Sequence, residues 1–250
     1  MINRKIIAMG LLIVLGQDAV TQAQYRSTVE QEATQLETIG TYNFPDTYYI
    51  DEAVQLINQV QLQHNMSYKI AETPVADDCV AFMNKEQFLG PLGSSIYRRI
   101  ALNGKAYPYL LRGGDINNSC PKYRRMNEKQ KGLVWVLVLT MIAHFESSCK
   151  LTANAKGPNG TVQGLYQLHK GKETEYTDDK NACPKNASLN ANQSSGCMLA
   201  MLNDQIEKMN GKLFAAKSYW DVLRPQAKSK RAKQIATTLR RSSLCSPPLL

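Results

Sequence analysis

Residues 133–143 read Leu-Val-Trp-Val-Leu-Val-Leu-Thr-Met-Ile-Ala, an almost unbroken apolar run. Asn127 precedes the run and Gln130 follows three residues later, a spacing typical of a helix N-terminal capping box. The pattern predicts a helix from Asn127 to Phe145 that is apolar on all sides and therefore central in the fold. The 11 residues are too few to cross a bilayer, and a buried strand is the alternative that periodicity leaves open.

Helical spacing of apolar residues recurs after this run. It predicts one helix over Met198–Met209 and another over Leu213–Val222. A break at Arg224-Pro225 follows, and then a basic stretch predicts a terminal helix near Cys245. The basic residues of this stretch are Lys228, Lys230, Arg231, Lys233, Arg240 and Arg241.

The chain before the central run gives weaker patterns. Asp51–His64 has apolar residues at near-helical spacing and predicts one amphipathic helix. Tyr97–Leu102 and Ala106–Leu111 flank Asn103-Gly104, which is compatible with a hairpin turn or with a break between two short helices. We expect helices there, so the predicted fold class is mainly α.

The first residues have the pattern of a secretory signal peptide. Arg4 and Lys5 precede an apolar run from Ile6 to Leu15, and small residues end the segment at Thr21-Gln22-Ala23. We therefore expect cleavage after residue 23, and a secreted or periplasmic protein. A membrane anchor is the alternative, but the run is far shorter than the ~20 apolar residues of a membrane span.

Composition is that of a globular protein that attracts anions. The 250 residues are 43% hydrophobic and 20% charged, with a net charge of +9 at pH 7. Removal of the predicted signal peptide takes away one net positive charge and leaves +8. A basic surface attracts nucleic acid, acidic lipid or an anionic cell wall, and charge alone does not choose among them.

Six cysteines behind an export signal indicate disulfide bonds. Cys183 and Cys197 enclose a polar segment with too little apolar content to stay ordered by packing, so we predict a bond between them. The cysteines include no CxxC pair, and the three histidines lack metal-ligand spacing, so we expect no metal site. The other cysteines are Cys79, Cys120, Cys149 and Cys245, and the histidines are His64, His144 and His169.

Glu146 stands at the end of the most hydrophobic segment, directly after His144-Phe145. A carboxyl held against apolar side chains loses hydration of its charged form, so its pKa rises. Such a group stays protonated near neutral pH and is suited to general acid catalysis. The alternative is a solvated glutamate just beyond a helix end.

A loop rich in turn-forming residues follows, from Ala155 to Leu168. Gly160 and Gly164 allow the main chain to approach a ligand closely. The Gln167 amide has both donors and an acceptor for a sugar. The loop lacks the Lys-Ser/Thr pair of a phosphate-binding loop.

These residues resemble the lytic transglycosylase and goose-type lysozyme superfamily, whose pattern is Glu-Ser, a short loop and Gly-Leu-x-Gln. Glu146-Ser147 matches the first part, and the loop from Ala155-Lys156-Gly157 leads to the second. The resemblance implies a lysozyme-like helical domain with Glu146 as the catalytic acid and Ser147 orienting the acid or the substrate. It also implies that four residues line the glycan cleft: Gly164, Leu165, Tyr166 and Gln167.

The downstream motifs of the family are only loosely matched. Its Asn and Gly motif is echoed by Asn192–Gly196, and its Tyr-Asn pair by Tyr219-Trp220, where the Asn is missing. Tyr219 is therefore a candidate cleft residue, with an aromatic side chain in the core as the alternative.

The implied organisation is a signal peptide (1–23), an N-terminal helical extension packing on the core (24–125) and a lysozyme-like catalytic domain (126–250).

The resemblance implies a muramidase that cuts peptidoglycan glycan strands between N-acetylmuramic acid (MurNAc) and N-acetylglucosamine (GlcNAc) or its deacetylated form. We expect a monomer without cofactor, nucleic acid partner or stable membrane insertion. One alternative is a catalytically silent lysozyme-like wall-binding protein. The other is a secreted basic protein that binds polyanions through its C-terminal helix.

The sequence leaves the second catalytic group open. Glycosidases usually pair the acid with another carboxylate, and the next acids, which are candidates to face the cleft, are Glu173, Glu175, Asp178 and Asp179. Without such a partner the family-like product is a 1,6-anhydro sugar; with one, the reaction is hydrolysis. The same four acids suggest contact with the ammonium group of a deacetylated glucosamine, and a solvated acidic loop is the alternative.

Overall fold

The structure, a computed structural model, describes residues 69–70, 73–83 and 89–246. The predicted signal peptide and the predicted helix over residues 51–64 lie outside the described residues. Within the described part, six α-helices follow one another with short 3₁₀ turns between them. They are α1 (Pro91–Asn103), α2 (Pro108–Arg112), α3 (Ile116–Ser119), α4 (Glu128–Ser147), α5 (Ala191–Lys208) and α6 (Arg231–Arg241).

Two small antiparallel sheets accompany the helices. Strands β1 (Lys69–Ile70) and β2 (Thr73–Pro74) pair with each other. The second sheet consists of β3 (Asn154–Gly157), β4 (Gly160–Gln163) and β5 (Leu168–His169), in that order. Ala155 pairs with Val162, and Val162 pairs with His169. This sheet directly follows α4 in the chain and lies beside its C-terminal end.

Helix α4 is the central element, as the apolar run predicts. Asn127 Oδ1 accepts a hydrogen bond from Gln130 N at 2.9 Å, and Gln130 Oε1 accepts one from Asn127 N at 3.1 Å, which completes the capping box. Every residue from Gly132 to Ala143 is buried. The strand alternative for this segment is wrong. No helix in the described part of the chain is both long and apolar enough to cross a membrane.

The N-terminal half of α4 packs against α1 and the turns that follow it. Trp135 is fully buried and its Nε1 donates to Tyr123 Oη at 2.7 Å, while Tyr123 Oη donates to the Leu110 carbonyl at 2.6 Å. At Gly132 a Cβ would lie 3.1 Å from the Tyr97 ring, so glycine allows α1 to approach closely. Buried residues between Cys79 and Tyr123 therefore share one hydrophobic core with α4. The predicted domain boundary at 125/126 stays a prediction.

The helices on either side of Asn103-Gly104 are confirmed as α1 and α2, and the hairpin alternative is wrong. The helix predicted over Met198–Met209 is present and begins earlier, at Ala191, because the Asn190 side chain accepts the Gln193 N–H at 2.9 Å and caps the extra turns. The basic C-terminal helix is present as α6. It buries Ala232, Ile235 and Leu239 and exposes most of its cations.

The helix predicted over Leu213–Val222 is wrong; only a short 3₁₀ turn, Asp221–Leu223, is present. Side chains from elsewhere in the chain accept hydrogen bonds from backbone N–H groups of this segment. The Asp115 carboxylate accepts from Leu213 N at 2.7 Å and Phe214 N at 3.2 Å. Gln205 Oε1 accepts from Tyr219 N at 2.9 Å. These distant partners hold the segment in a series of bends and turns, a cause that sequence periodicity does not contain.

Three disulfide bonds join distant parts of the fold: Cys79–Cys149, Cys120–Cys245 and Cys183–Cys197. The last is the pair predicted from the polar segment between its cysteines. Cys79–Cys149 spans 70 residues and fixes the segment before α1 to the end of α4. Cys120–Cys245 spans 125 residues and fixes the end of α6 beside α3. We expect each bond to stabilise the fold mainly by lowering the conformational entropy of the unfolded chain.

Candidate active site

Glu146 lies in the last turn of α4, and the helix is ended abruptly just beyond it. Ser148 and Cys149 both have a left-handed backbone, with φ of 54° and 63°. The N–H groups of Ser148 and Cys149 donate to the His144 carbonyl at 3.0 Å and the Ala143 carbonyl at 3.1 Å. The Cys79–Cys149 bond then anchors the turn. The backbone that carries Glu146 is therefore part of a covalently anchored helix end.

The half-buried Glu146 carboxyl has an altered acidity. Burial raises its pKa to about 7, the charge of Asp221 acts in the same direction, and Arg231 and Arg224 oppose the rise. Burial is the largest cause because the site removes water from the carboxylate form. A large fraction of Glu146 is therefore protonated near neutral pH and able to donate its proton.

Ser147, the next residue, links the helix end to the turn after β4. Its Oγ donates a hydrogen bond to the Leu165 carbonyl at 2.8 Å and to the Ala143 carbonyl at 3.1 Å. Gly164 begins that turn with φ of 79°, and a Cβ there would lie 2.2 Å from the Ser188 carbonyl oxygen. Only glycine fits this position. The two sequence motifs of the resemblance are thus in direct contact.

The other residues of the second motif form the base of this contact. Leu165 is 2% exposed, and Tyr166 is fully buried with its hydroxyl 3.4 Å from Ser195 Oγ. The Gln167 amide donates to the carbonyls of Ala153 at 3.2 Å and Gly164 at 3.0 Å. These two hydrogen bonds of the Gln167 amide stabilise the turn. Contact of these side chains with a glycan stays a prediction, and the structure gives each a structural role.

Tyr219 is brought to the same site from far along the chain. Its hydroxyl accepts from His169 N at 3.0 Å and lies 2.6 Å from His169 Nδ1. Its ring packs edge-on against Tyr176 and Trp220, each at 4.8 Å between centroids. Burial raises the pKa of Tyr219, and the charge of Glu146 contributes to the rise. Tyr219 is therefore a half-buried residue at the edge of the Glu146 site.

Two arginines lie near Glu146, and the sequence patterns did not predict that they belong to this site. Arg231, the first residue of α6, donates from Nη1 to the Phe145 carbonyl at 3.0 Å. Arg224 donates from Nε to the Ser218 carbonyl at 2.8 Å and from Nη2 to the Tyr219 carbonyl at 3.2 Å. The sequence analysis named Arg231 only as a member of the basic stretch and Arg224 only as part of the break at Arg224-Pro225. Asp221, which pairs with Arg224 at 3.8 Å, was not singled out at all.

Three of the four acids after Gln167 are engaged in other contacts. Glu173 is fully buried, accepting from Ser188 Oγ at 2.5 Å and Asn186 N at 3.1 Å. Asp178 pairs with Lys208 at 3.4 Å, and Asp179 accepts two backbone N–H groups of the turn after it. The remaining acid is Glu175, which is exposed. Selection of amino sugars by this loop stays a prediction and depends mainly on Glu175.

Within residues 69–70, 73–83 and 89–246, no three His, Cys, Asp or Glu side chains are grouped as metal ligands would be. The cysteines of this part are all in disulfide bonds. That the protein works without a metal or cofactor stays a prediction.

No family model matches the chain. No curated protein matches it either. Among solved structures, the chain is similar to Bd0314 DslA from Bdellovibrio, both as the wild type (form 2) and as two single glutamate-to-glutamine variants. The identity is 22 to 23%, the TM-score is 0.50 to 0.51, and the match covers 62% of this chain and 91% of each DslA chain. At this identity the likeness shows the fold alone, and the chain therefore shares the fold of DslA.

Proposed function

We propose that the protein is a lysozyme-like muramidase that cleaves peptidoglycan glycan strands between MurNAc and GlcNAc, or deacetylated glucosamine, with Glu146 as the general acid. The observation that carries the proposal is the Glu146 carboxyl itself. It is half-buried at a fixed helix end, and its pKa is raised to about 7. Structural carboxylates at helix ends are usually solvated, so a half-buried one with a raised pKa, next to the Ser147 that bonds to the glycine turn, favours a catalytic role.

The reaction begins with proton transfer from Glu146 to the oxygen of the glycosidic bond. The bond from the MurNAc anomeric carbon to that oxygen breaks, the leaving sugar takes the proton as a hydroxyl, and positive charge develops on the MurNAc ring. Glu146, now a carboxylate, stabilises that charge from nearby. Its burial makes the charged form costly, which favours return of a proton to it in the second step.

Two second steps are compatible with one acid. If the Glu146 carboxylate takes the proton of the MurNAc 6-hydroxyl, the oxygen closes on the anomeric carbon and gives a 1,6-anhydro product. If it takes a proton from water, the product is a reducing sugar. Asp221 is the acid whose charge reaches Glu146, and its carboxylate is a candidate for orienting that water. We therefore treat both products as outcomes of one experiment.

Location and charge support a cell-wall substrate. Three disulfides are typical of proteins that fold in oxidising compartments. The net charge of +8 that remains after removal of the predicted signal peptide attracts an anionic wall and raises the rate of encounter. We propose a secreted or periplasmic location on these grounds.

The experiment is digestion of purified sacculi followed by mass spectrometry of the released muropeptides. We expect fragments ending in MurNAc, with a 1,6-anhydro ring or a reducing end, and none from Glu146→Gln. Binding to sacculi without fragments from the wild type would favour the silent wall-binding protein. Absence of both, with retention on nucleic acid or acidic vesicles, would favour the basic polyanion-binding protein.

A further inference from the structure

Arg231 is held beside Glu146 in a defined geometry. Its Nη1 donates to the Phe145 carbonyl at 3.0 Å, and its Cζ lies 5.5 Å from the centre of the Phe145 ring. The side chain is half-buried at the start of α6. One edge of the guanidinium thus caps the end of α4, while Nε and Nη2 form no hydrogen bond within the described part of the chain. A guanidinium held this way presents a ready fork for two oxygen atoms.

Arg231 has no ion-pair partner within the described ranges, and the acid on which its charge acts is Glu146. Asp221 pairs with Arg224 instead. Burial and the charge of Arg231 both lower the pKa of His144, which favours its neutral form. Glu146 faces Arg231 mainly as an uncharged acid below pH 7. A half-buried cation among neutral groups is stabilised by any anion that arrives with a ligand.

We propose that Arg231 binds a carboxylate of the glycan substrate next to the bond that is cleaved. The proposal rests on the proposed function and adds the substrate feature that this site selects. A carboxylate matches the free edge of the guanidinium in charge and in its two-oxygen geometry. Neutral glycans made only of GlcNAc lack such a group, so Arg231 distinguishes peptidoglycan from chitin-like chains.

Peptidoglycan offers this carboxylate from two sources. The lactyl group of MurNAc ends in a free carboxylate where no peptide is attached. Where a peptide is attached, that carboxyl is an amide, and the peptide contributes carboxylates of its own. The experiment therefore needs ligands that differ only in the state of each carboxyl.

The test measures binding by calorimetry to Glu146→Gln, which prevents turnover. The probes are a GlcNAc–MurNAc tetrasaccharide with free lactyl carboxylates, its lactyl methyl ester, and peptide-bearing tetrasaccharides with free or amidated peptide carboxylates. We expect the free acid, or the free peptide form, to bind about tenfold more tightly than its neutral counterpart. The form that shows the difference identifies the source. This comparison requires no change at Arg231.

The second step introduces Arg231→Gln into the Glu146→Gln protein, with Lys233→Gln as the control. Gln keeps a donor for the Phe145 carbonyl, and Lys233 is an exposed cation on the same helix. We expect the first change to remove the tenfold difference and the control to retain it, with similar melting temperatures. Should Arg231→Gln fail to fold, Arg231→Lys replaces it, with the difference reduced because the fork is lost.

Equal binding of charged and neutral forms, a preference that survives the loss of Arg231, or no binding of any probe would overturn the inference. Failure of the inference can be distinguished from failure of the proposed function. If the wild type cleaves sacculi while binding is insensitive to charge, the muramidase proposal survives and the inference fails. If Arg231-dependent binding is present without cleavage, the inference survives and the enzyme proposal fails.

Discussion

The two ends of α4 are built by different kinds of contact. At the N-terminal end, Asn127 and Gln130 satisfy each other's backbone groups across three residues. At the C-terminal end, Ser147 bonds to Leu165, Cys149 bonds to Cys79, and Arg231 bonds to the Phe145 carbonyl. These partners lie 18 to 86 residues away. The cap at one end is thus formed by neighbouring residues, while the contacts at the other end form only after distant segments have assembled around Glu146.

The largest contrast between the ends concerns activity. Glu146→Gln removes the transferable proton and keeps the shape of the side chain, so we expect glycan cleavage to fall at least 100-fold, in line with the ~10²–10⁴ contribution of general acids. Glu128→Gln, the matched change in the exposed first turn of α4, should retain activity within about twofold. Release of soluble fragments from sacculi measures both. Equal activity of the two variants would remove Glu146 from the mechanism.

The disulfide at the C-terminal end should matter for stability. Replacement of Cys79 and Cys149 by Ser frees a 70-residue loop, and we expect a loss of about 2 to 5 kcal/mol in the free energy of unfolding. Activity should fall as well, because the turn beyond Glu146 loses its anchor. Urea unfolding at fixed pH measures this loss in the free energy of unfolding, and replacement of the Cys183–Cys197 pair in parallel is the control. A loss under about 1 kcal/mol, with full activity, would show that the anchor is unnecessary.

Stability should also depend on pH through Glu146. Its pKa is about 7 in the folded protein against an ordinary value of 4.5. The raised pKa means that the folded state binds the proton more tightly, so this stabilisation is complete below about pH 4.5 and is lost as pH rises through about 7. Relative to Glu146→Gln, the wild type should lose up to about 3 kcal/mol between pH 4 and pH 8. Denaturant unfolding of both proteins across this range measures the difference, and a constant or opposite trend would refute the assignment.

The smallest effect is expected at the locally determined end. Asn127→Ala removes the side-chain acceptor for Gln130 N, and loss of such a cap costs about 1 kcal/mol. Cleavage activity should not change, since the capping box makes no contact with the Glu146 site. Thermal unfolding and a sacculus assay test both parts. A marked loss of activity without loss of stability would mean that the two ends are coupled.

The contrast between local and distant contacts also explains which features the sequence patterns predicted correctly. The central helix, its capping box and the Cys183–Cys197 bond follow from residues near one another in the chain. The sequence predicts a turn-rich loop in which Gly164 lets the main chain approach a ligand closely, but the contact of this loop with Ser147 depends on the fold. Arg231, Asp221 and His169 reach the site from other segments. Periodicity and spacing contain no information on such distant contacts, and the same limitation produced the wrong helix over Leu213–Val222.

The central claim is that Glu146 donates the proton while it is protonated near neutrality. The most direct measurement is a pH titration of the Glu146 carboxyl by ¹³C NMR, together with the pH dependence of kcat/KM for glycan cleavage. We predict a carboxyl pKa near 7 and a decline of kcat/KM above the same pH, because the acid form is lost there. A carboxyl that titrates near 4.5, or a rate that stays constant between pH 5 and pH 9 while Glu146 titrates, would contradict the account.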